Sequence, residues 1–378
     1  MDHPGTPLIV GAGPVGLGAA LFLSARECSF RIVEMRDKPA AESKALAVNP
    51  RTLELLAPTG VTRRMLEIGL RIHGVRYYKR SRAIATLDFS GIHPRYPFML
   101  ALSQATTERL LTEFVEARGH VIERGTRLVA CRLVDGRVEA VLRSASARSR
   151  EVVRCPWVFA ADGGRSELRR QLRVPFPGST FREQWHLADA PLQTSLAADH
   201  AHVFFFDGGS FLFLIRVVDD RPHGGGDALW RVLSNRPQPL SRLVKAEQRG
   251  PAVWASSFHV SHRVNAAMVV NNRVFFAGDA AHLHSPIGAR GMNLGIEDAY
   301  AFAELRHRQR LAEYGRLRLR VVRRVVRRVR LLSHLATLQP EYLRLLRNRA
   351  LPLAAMFAPV RKRVLKTVTG LDHRVPSA

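Results

Sequence analysis

Along the first part of the chain, short apolar runs that stop at glycine-rich turns alternate with longer segments of helical period. Residues 7–10 are apolar and end at such a turn, residues 14–26 are rich in Ala and Leu, and residues 30–33 form a second apolar run ending at Glu34. Strand, turn, helix and strand in that order predict a βαβ unit. Residues 50–56 predict a helix with Pro50 in its first turn. Residues 106–117 predict another, with Leu110, Leu111, Phe114 and Val115 on one face. From 121 to 153 the pattern alternates, and Asp135-Gly136 between residues 131–134 and 137–142 predicts a hairpin. Residues 157–161 are a short strand leading into Asp162-Gly163-Gly164. Residues 181–254 are strand-rich, clearest at 202–206, 211–216 and 230–233, with a glycine-rich loop at 223–227. Residues 274–277 are a buried strand followed by Gly278-Asp279. The last stretch is helical. In residues 317–332, Val321, Val322, Val325, Val326 and Val329 recur three and four apart and arginines fill the other positions, which predicts an amphipathic helix with a basic outer face. There is no internal repeat.

Three of these junctions carry chemistry. The first is GAGPVG at residues 11–16. Gly11 permits a tight turn after the strand, Gly13 lets the backbone approach a pyrophosphate, and Gly16 lets the helix starting at Pro14 and Val15 pack closely. The helix N-terminus offers N–H groups and a positive dipole end to phosphates. Glu34, 23 residues after Gly11, ends the next strand, where a carboxylate can accept both ribose hydroxyls of an adenosine. The second is AADGGRSELRR, residues 160–170; read alone, Asp162-Gly163 is an ordinary turn before a helix capped by Ser166. The third is FFAGDAAHLHSPIGARGMNLGIEDA, residues 275–299. Here Asp279 can bond a ribityl or ribose hydroxyl, and the N–H groups of Met292 and Asn293, opening a helix, can stabilise negative charge on a ring system. His282 and His284 are two residues apart with no third ligand nearby, so no metal site is expected.

Together, in this order and spacing, the three motifs resemble the class A single-component aromatic hydroxylases that use FAD and NAD(P)H, the family of para-hydroxybenzoate hydroxylase and the polyketide hydroxylases. The resemblance runs from about Pro7 to Asp372. Two further segments share it: SKALAVNPRTLELL (43–56), a flavin-side segment with a basic residue, here Lys44, and SQATTERLL (103–111), whose glutamine, here Gln104, contacts the flavin. Lys44 stands where arginine is more usual, which weakens a planar contact. Ser285-Pro286 replaces Pro-Pro, the stretch after Asp298 is shortened, and the thioredoxin-like extension of some members is not expected. The resemblance implies an α/β fold: a Rossmann-type FAD-binding domain with a parallel sheet, interleaved with a β-sheet substrate domain, and C-terminal helices. The expected division is 1–178 and 263–300 for FAD, with residues of about 70–100 contributing to the substrate domain, 179–262 for substrate, and 301–378 as a basic helical region. It implies hydroxylation of an aromatic, polyketide-like or quinone-precursor molecule through a flavin C4a-hydroperoxide, with NADPH or NADH as hydride donor; no second GxGxxG is present. The stretch from Ile287 through Gly288, Arg290, Gly291 and Met292 to Asn293 becomes the expected flavin loop, shaped by Pro286 and Gly288, with Gly163, Gly278 and Asp162 along the rest of the cofactor. Strands 204–206 and 211–213 can line an aromatic pocket, on one face of each strand only, and Arg216 can meet an acidic substrate.

Composition changes this picture in one respect. The 378 residues, 46% hydrophobic, suffice for one large domain or two sharing a core. Cys28, Cys131 and Cys155 are widely spaced, which suits a reducing cytosol, and the first apolar run belongs to a strand, so neither a secretory signal nor a spanning helix is expected. The charge is extreme: 58 basic against 32 acidic residues. Between Glu304 and Lys366 there are 18 Lys or Arg and 3 Glu, and only six basic residues of the chain are lysines. Such an arginine excess is read as solvated helix faces and compositional bias rather than a nucleic-acid surface. Contact of the basic helices with a membrane surface stays open, as does a monomer or homodimer. Two other readings stand beside the hydroxylase: a flavin reductase or dehydrogenase of the same fold, and a basic peripheral flavoprotein. A halogenase is disfavoured, because none of Trp157, Trp185, Trp230 or Trp254 begins a WxWxIP run.

Overall fold

The computed structural model describes residues 5–39, 45–145, 150–218, 228–338 and 340–375; Lys44 and the 223–227 loop lie outside them. Five short strands, Leu8–Val10, Arg31–Glu34, Ile122–Arg124, Val158–Ala160 and Val274–Phe276, run parallel, and Val269–Val270 adds an antiparallel edge. The central strands Leu8–Val10, Val158–Ala160 and Val274–Phe276 read as unbroken apolar runs because both faces of the sheet are covered there. Leu8–Val10 lies between Arg31–Glu34 and Val158–Ala160. The chain therefore leaves this strand to one side first and returns to the other side later, which opens a crevice at its carboxyl end. The first helix, Pro14–Ser24, is buried on nearly every face. It is apolar all round because the sheet and two helices, Gln104–Glu116 and Arg290–His307, enclose it.

The predicted hairpin forms between Thr126–Val134 and Arg137–Ser144. Asp135 (φ 48°) and Gly136 (φ 70°) both take left-handed backbone, as a two-residue turn of this hand requires. A second, nine-stranded sheet gathers the middle of the chain together with Gly74–Lys79, Arg82–Asp88 and His282–Leu283. Its spine is formed by Gly178–Thr194 and Trp254–Val264, which pair antiparallel. Neither stands out in the apolar pattern, because their polar residues alternate toward solvent. The sheet's two faces carry separate cores. Tyr78, Phe204, Leu212, Leu214, Trp230 and Val232 pack on one, and Trp185, Phe205, Phe211, Leu233 and Val260 on the other.

The tail folds as Tyr314–Ala336, Glu341–Met356 and Ala358–Thr369. In the first of these the valine stripe is buried as the pattern predicts, but Arg318 is fully buried too. That departs from an all-outward arginine face, and its cause is a pair of buried carboxylates, Glu297 and Asp298, at 2.7 Å each. Among the described residues no helix is long and apolar enough to cross a membrane.

Candidate active site

Three loops meet at the carboxyl ends of the parallel strands. Gly11 N–H donates to Val33 O (2.8 Å), Ala161 N–H to Val10 O (2.9 Å) and Ala277 N–H to Ala160 O (3.0 Å), so the turns after three neighbouring strands are tied edge to edge. Gly11 has φ +102°, and a Cβ there would collide with the Ala161 carbonyl; a Cβ at Gly16 would collide with the Gly11 carbonyl. Gly13 is different: nothing lies within 4 Å of a Cβ built on it. It caps the first helix with extended backbone and no side-chain acceptor, with Pro14 next. The loop thus presents N–H groups to open space, where a side chain would stand in the way of a pyrophosphate. Glu34 reaches back across this loop. One carboxylate oxygen accepts Ala12 N–H (2.8 Å) and the other accepts Arg36 N–H (3.0 Å). Each oxygen keeps lone-pair capacity for a hydroxyl.

Gly163 has φ +79° and also faces open space. Asp162 accepts Leu168 N–H (3.1 Å), and burial pushes its carboxyl up. Ser166 caps the following short helix through Arg169 N–H (3.0 Å), so the ordinary turn-and-cap reading of this motif holds locally. Gly278 packs on Val15 of the first loop. Asp279 is exposed in the one-turn helix Gly278–Ala280. The turn is buttressed from behind: Asp298 accepts Gly278 N–H (3.0 Å) and bonds His282 Nε2 (2.7 Å). His282 is therefore a structural partner of Asp298. Among the described residues no group of three His, Cys, Asp or Glu is placed to hold a metal.

The expected flavin loop runs through Pro286, which is exposed, and Gly288 (φ +77°) into the helix Arg290–His307. Ala289, at φ 51° and ψ 37°, precedes that helix, which has no side-chain cap and no acid in its first turn. The N–H groups of Gly291 and Met292 therefore open a helix without a side-chain counter-charge. Asn293 uses its side chain elsewhere. Its Oδ1 accepts Asn49 N–H (3.0 Å) and its Nδ2 donates to Ala47 O (2.8 Å). Gln104 holds the other end of the same segment, through Gln104 N–H to Ala45 O (3.1 Å) and Ala45 N–H to its Oε1 (3.4 Å). Residues 45–49 thus bridge Gln104 to the flavin loop, joining segments that the chain separates by more than 180 positions. Arg290 is buried; it donates to Thr367 O (2.8 Å) and lies 3.6 Å from Asp372. Its charge is taken up by the C-terminal segment.

One residue beside the loop was weighed from sequence only as a metal ligand. His284 lies beside Gly291, 3.9 Å from a Cβ built there. Its Nδ1 faces Ser285 O (2.9 Å), its Nε2 is buried with no partner among the described residues, and burial pushes the imidazole down to about 3. The signal was present, a histidine two residues before Pro286, but its spacing from His282 raised only the question of a metal, which was set aside. Ile287, which opens the expected flavin loop, joins the sheet face bearing Phe205, Phe211 and Phe213. Of the phenylalanines named from sequence, these three share the loop's side. Phe204 stacks on Tyr78 at 4.4 Å on the far face. Arg216 is half-buried at the end of its strand.

The arrangement fits a flavin dinucleotide: an open glycine cradle, a carboxylate at the second strand, and an uncapped helix end beside an aromatic face. The profile described as FAD binding domain matches residues 6–329. 6-Methylpretetramide 4-monooxygenase from Streptomyces rimosus is 35% identical over 309 residues, covering 78% of this chain and 54% of its own length. Pentachlorophenol 4-monooxygenase from Sphingobium chlorophenolicum is 31% identical over 304 residues, covering 78% of this chain and 56% of its own. The chain spans about half the length of these curated relatives. The crystal structure of p-nitrophenol 4-monooxygenase from Pseudomonas putida aligns with a TM-score of 0.86 over 99% of this chain and 100% of that one; at 20% identity the likeness is one of fold. The chain belongs to the FAD binding domain family of the class A aromatic hydroxylases.

Proposed function

We propose that the chain carries a FAD-dependent monooxygenase that uses NADPH or NADH and dioxygen to hydroxylate an aromatic, polyketide-like or quinone-precursor molecule. One observation carries this reading: the uncapped N-terminus of Arg290–His307 and the aromatic sheet face meet at the same loop, through Ile287. In this reading Gly11, Gly13, Pro14, Val15 and Gly16 cradle the pyrophosphate and Glu34 receives the adenosine ribose. Asp162, Gly163, Gly278 and Asp279 follow the middle of the cofactor, and Gln104 and Lys44 flank the ring. FAD supplies the redox and oxygen-activating chemistry when bound. The chain's own residues supply the environment. Pro286 and Gly288 shape the loop, and the N–H groups of Gly291, Met292 and Asn293 favour negative charge on the reduced ring. His284 is held neutral by burial, so it offers a hydrogen bond without adding charge. The loop is roofed from the C-terminal side. Ser285 bonds Ser333 (2.6 Å) in the long basic helix, and Val368 packs on Gly288. Such cover keeps water from the reacting centre.

In this scheme residues 1–178 and 263–300 hold the cofactor, 179–262 face the substrate and 301–378 close the site. The names of the two curated relatives each describe a monooxygenase, which supports oxygen transfer over simple reduction. The test is NADPH oxidation across a panel of phenols and polycyclic aromatics under isotopically labelled dioxygen. Labelled hydroxylated product is expected. Product without label would assign a reductase or dehydrogenase instead.

A further inference from the structure

Surface helices normally bury their apolar stripe and show solvent their polar one. The helix Glu341–Met356 does the reverse. Tyr342, Leu346, Leu353 and Met356 are 71%, 62%, 68% and 77% exposed. Their spacing of four, seven and three residues puts them on one face, with Leu345 at its edge and Arg349 inside it. The stripe continues into Phe357, 60% exposed, at the turn into the last helix. The half-buried side of the same helix carries Arg344, Arg347 and Asn348 along with Leu343 and Pro352. Arg347 lies over the Phe205 ring, 3.9 Å from its centroid, and donates to the carbonyls of Leu335 (3.0 Å) and Ala336 (3.1 Å) that end the preceding helix. Those contacts fix which way the helix is turned, so the apolar stripe, about 20 Å long, is held outward.

The charge around the stripe is of one sign. Between residues 341 and 363 there are six Lys or Arg and one Glu. Arg349, Arg361, Lys362 and Arg363 are exposed. A second copy of the same face would bring like charges together across an apolar contact, which opposes self-pairing. A surface that is apolar in depth and anionic at its boundary complements both features. We propose that this face docks the protein on an anionic lipid bilayer, with the Tyr342–Met356 stripe in the interfacial layer and Arg349, Arg361, Lys362 and Arg363 among the headgroups. The helix lies on the membrane and does not span it.

The experiment is flotation of the FAD-loaded full chain with vesicles of phosphatidylcholine alone and of phosphatidylcholine mixed with phosphatidylglycerol. Wild-type protein floats with the mixed vesicles, stays behind with the neutral ones, and is released as salt is raised. The double variant Leu346→Glu, Leu353→Glu changes only exposed positions, and an unaltered flavin absorption spectrum checks its fold; its flotation falls by roughly tenfold or more. Wild-type protein that fails to float with the mixed vesicles overturns the proposal, as does a variant that floats equally well. Light scattering closes the remaining alternative: a wild-type dimer that the double variant disperses assigns the stripe to a second copy and also overturns it.

Discussion

At the residue scale, Gly13 and Asp279 are the positions at which the proposed cofactor contacts can be tested apart from folding. A Cβ on Gly13 meets no protein atom within 4 Å, and Asp279 is exposed. Substitution at either place should leave the fold intact while obstructing the cofactor. Gly13→Leu puts a branched side chain in the cradle, and Asp279→Ala removes a carboxylate placed for a hydroxyl. Both proteins are expected to purify colourless or with flavin affinity lowered by at least roughly tenfold, about 1.4 kcal/mol. Absorbance near the flavin bands reads this directly, with circular dichroism as the folding control. A fully yellow Gly13→Leu protein would remove the pyrophosphate assignment. The places of Gly11, Gly13, Gly16 and Glu34 were legible because they follow from local geometry: a turn, an open loop, a close packing, a strand end. His284 was not, since its character comes from burial beside Gly291, which depends on how the loop closes.

At the element scale, the helix Arg290–His307 is anchored through charge. Asp298 and Glu297, side by side on it, take Arg318 from the next helix, and His373 Nε2 lies 2.6 Å from Glu297. Asp298 also braces the Gly278 turn. One arginine therefore connects the long basic helix to the turn that bears Asp279. Arg318→Met would leave two buried carboxylates without the guanidinium they share, and a broken buried pair of this kind costs about 3–5 kcal/mol. Chemical denaturation of the variant should show a loss of that order, whereas Arg320→Met, on the exposed side of the same helix, should stay within roughly 0.5 kcal/mol. Equal effects for the two would deny Arg318 its special place. The valine period predicted this helix well, but a run of eight arginines between 316 and 330 says nothing of which one turns inward. That choice belongs to carboxylates on another element.

At the scale of the whole molecule, the same network sets the response to pH. Arg318 and His373 hold the Glu297 carboxyl at about 2, below its ordinary 4.5, against the opposing effect of burial. Asp298, beside Arg318, and Asp372, beside His373, are depressed in the same way. A depressed carboxylate contributes stability above its ordinary value and loses it as pH falls through the folded one. The carboxylate part is therefore complete above about 4.5 and lost toward about 2. His373 is raised above 6.5 by Asp372 and Glu297. Its contribution is complete below 6.5 and lost as pH rises through the raised value. Thermal unfolding across pH should show a maximum between these limbs. In His373→Gln the alkaline limb should flatten while the acid limb persists; an unchanged alkaline limb would remove His373 from the account.

What the sequence by itself determined is the set of locally specified features: the βαβ start, the Asp135-Gly136 hairpin, the parallel sheet's apolar strands and the three loops at their ends. Each rests on backbone rules that act within a few residues, and together, in order, they pointed to a flavin fold. What only the tertiary structure decided is everything that depends on a partner far along the chain. Phe205, Phe211 and Phe213 face the loop and Phe204 does not, because the sheet's pleat fixes the side only once the sheet is placed. Arg290 is buried against Asp372, more than 80 positions further along the chain. The apolar stripe of Glu341–Met356 points outward because Arg347 is held over Phe205. A hydrophobic period shows that a helix has two faces; which one meets water is settled by what the rest of the molecule presents to it.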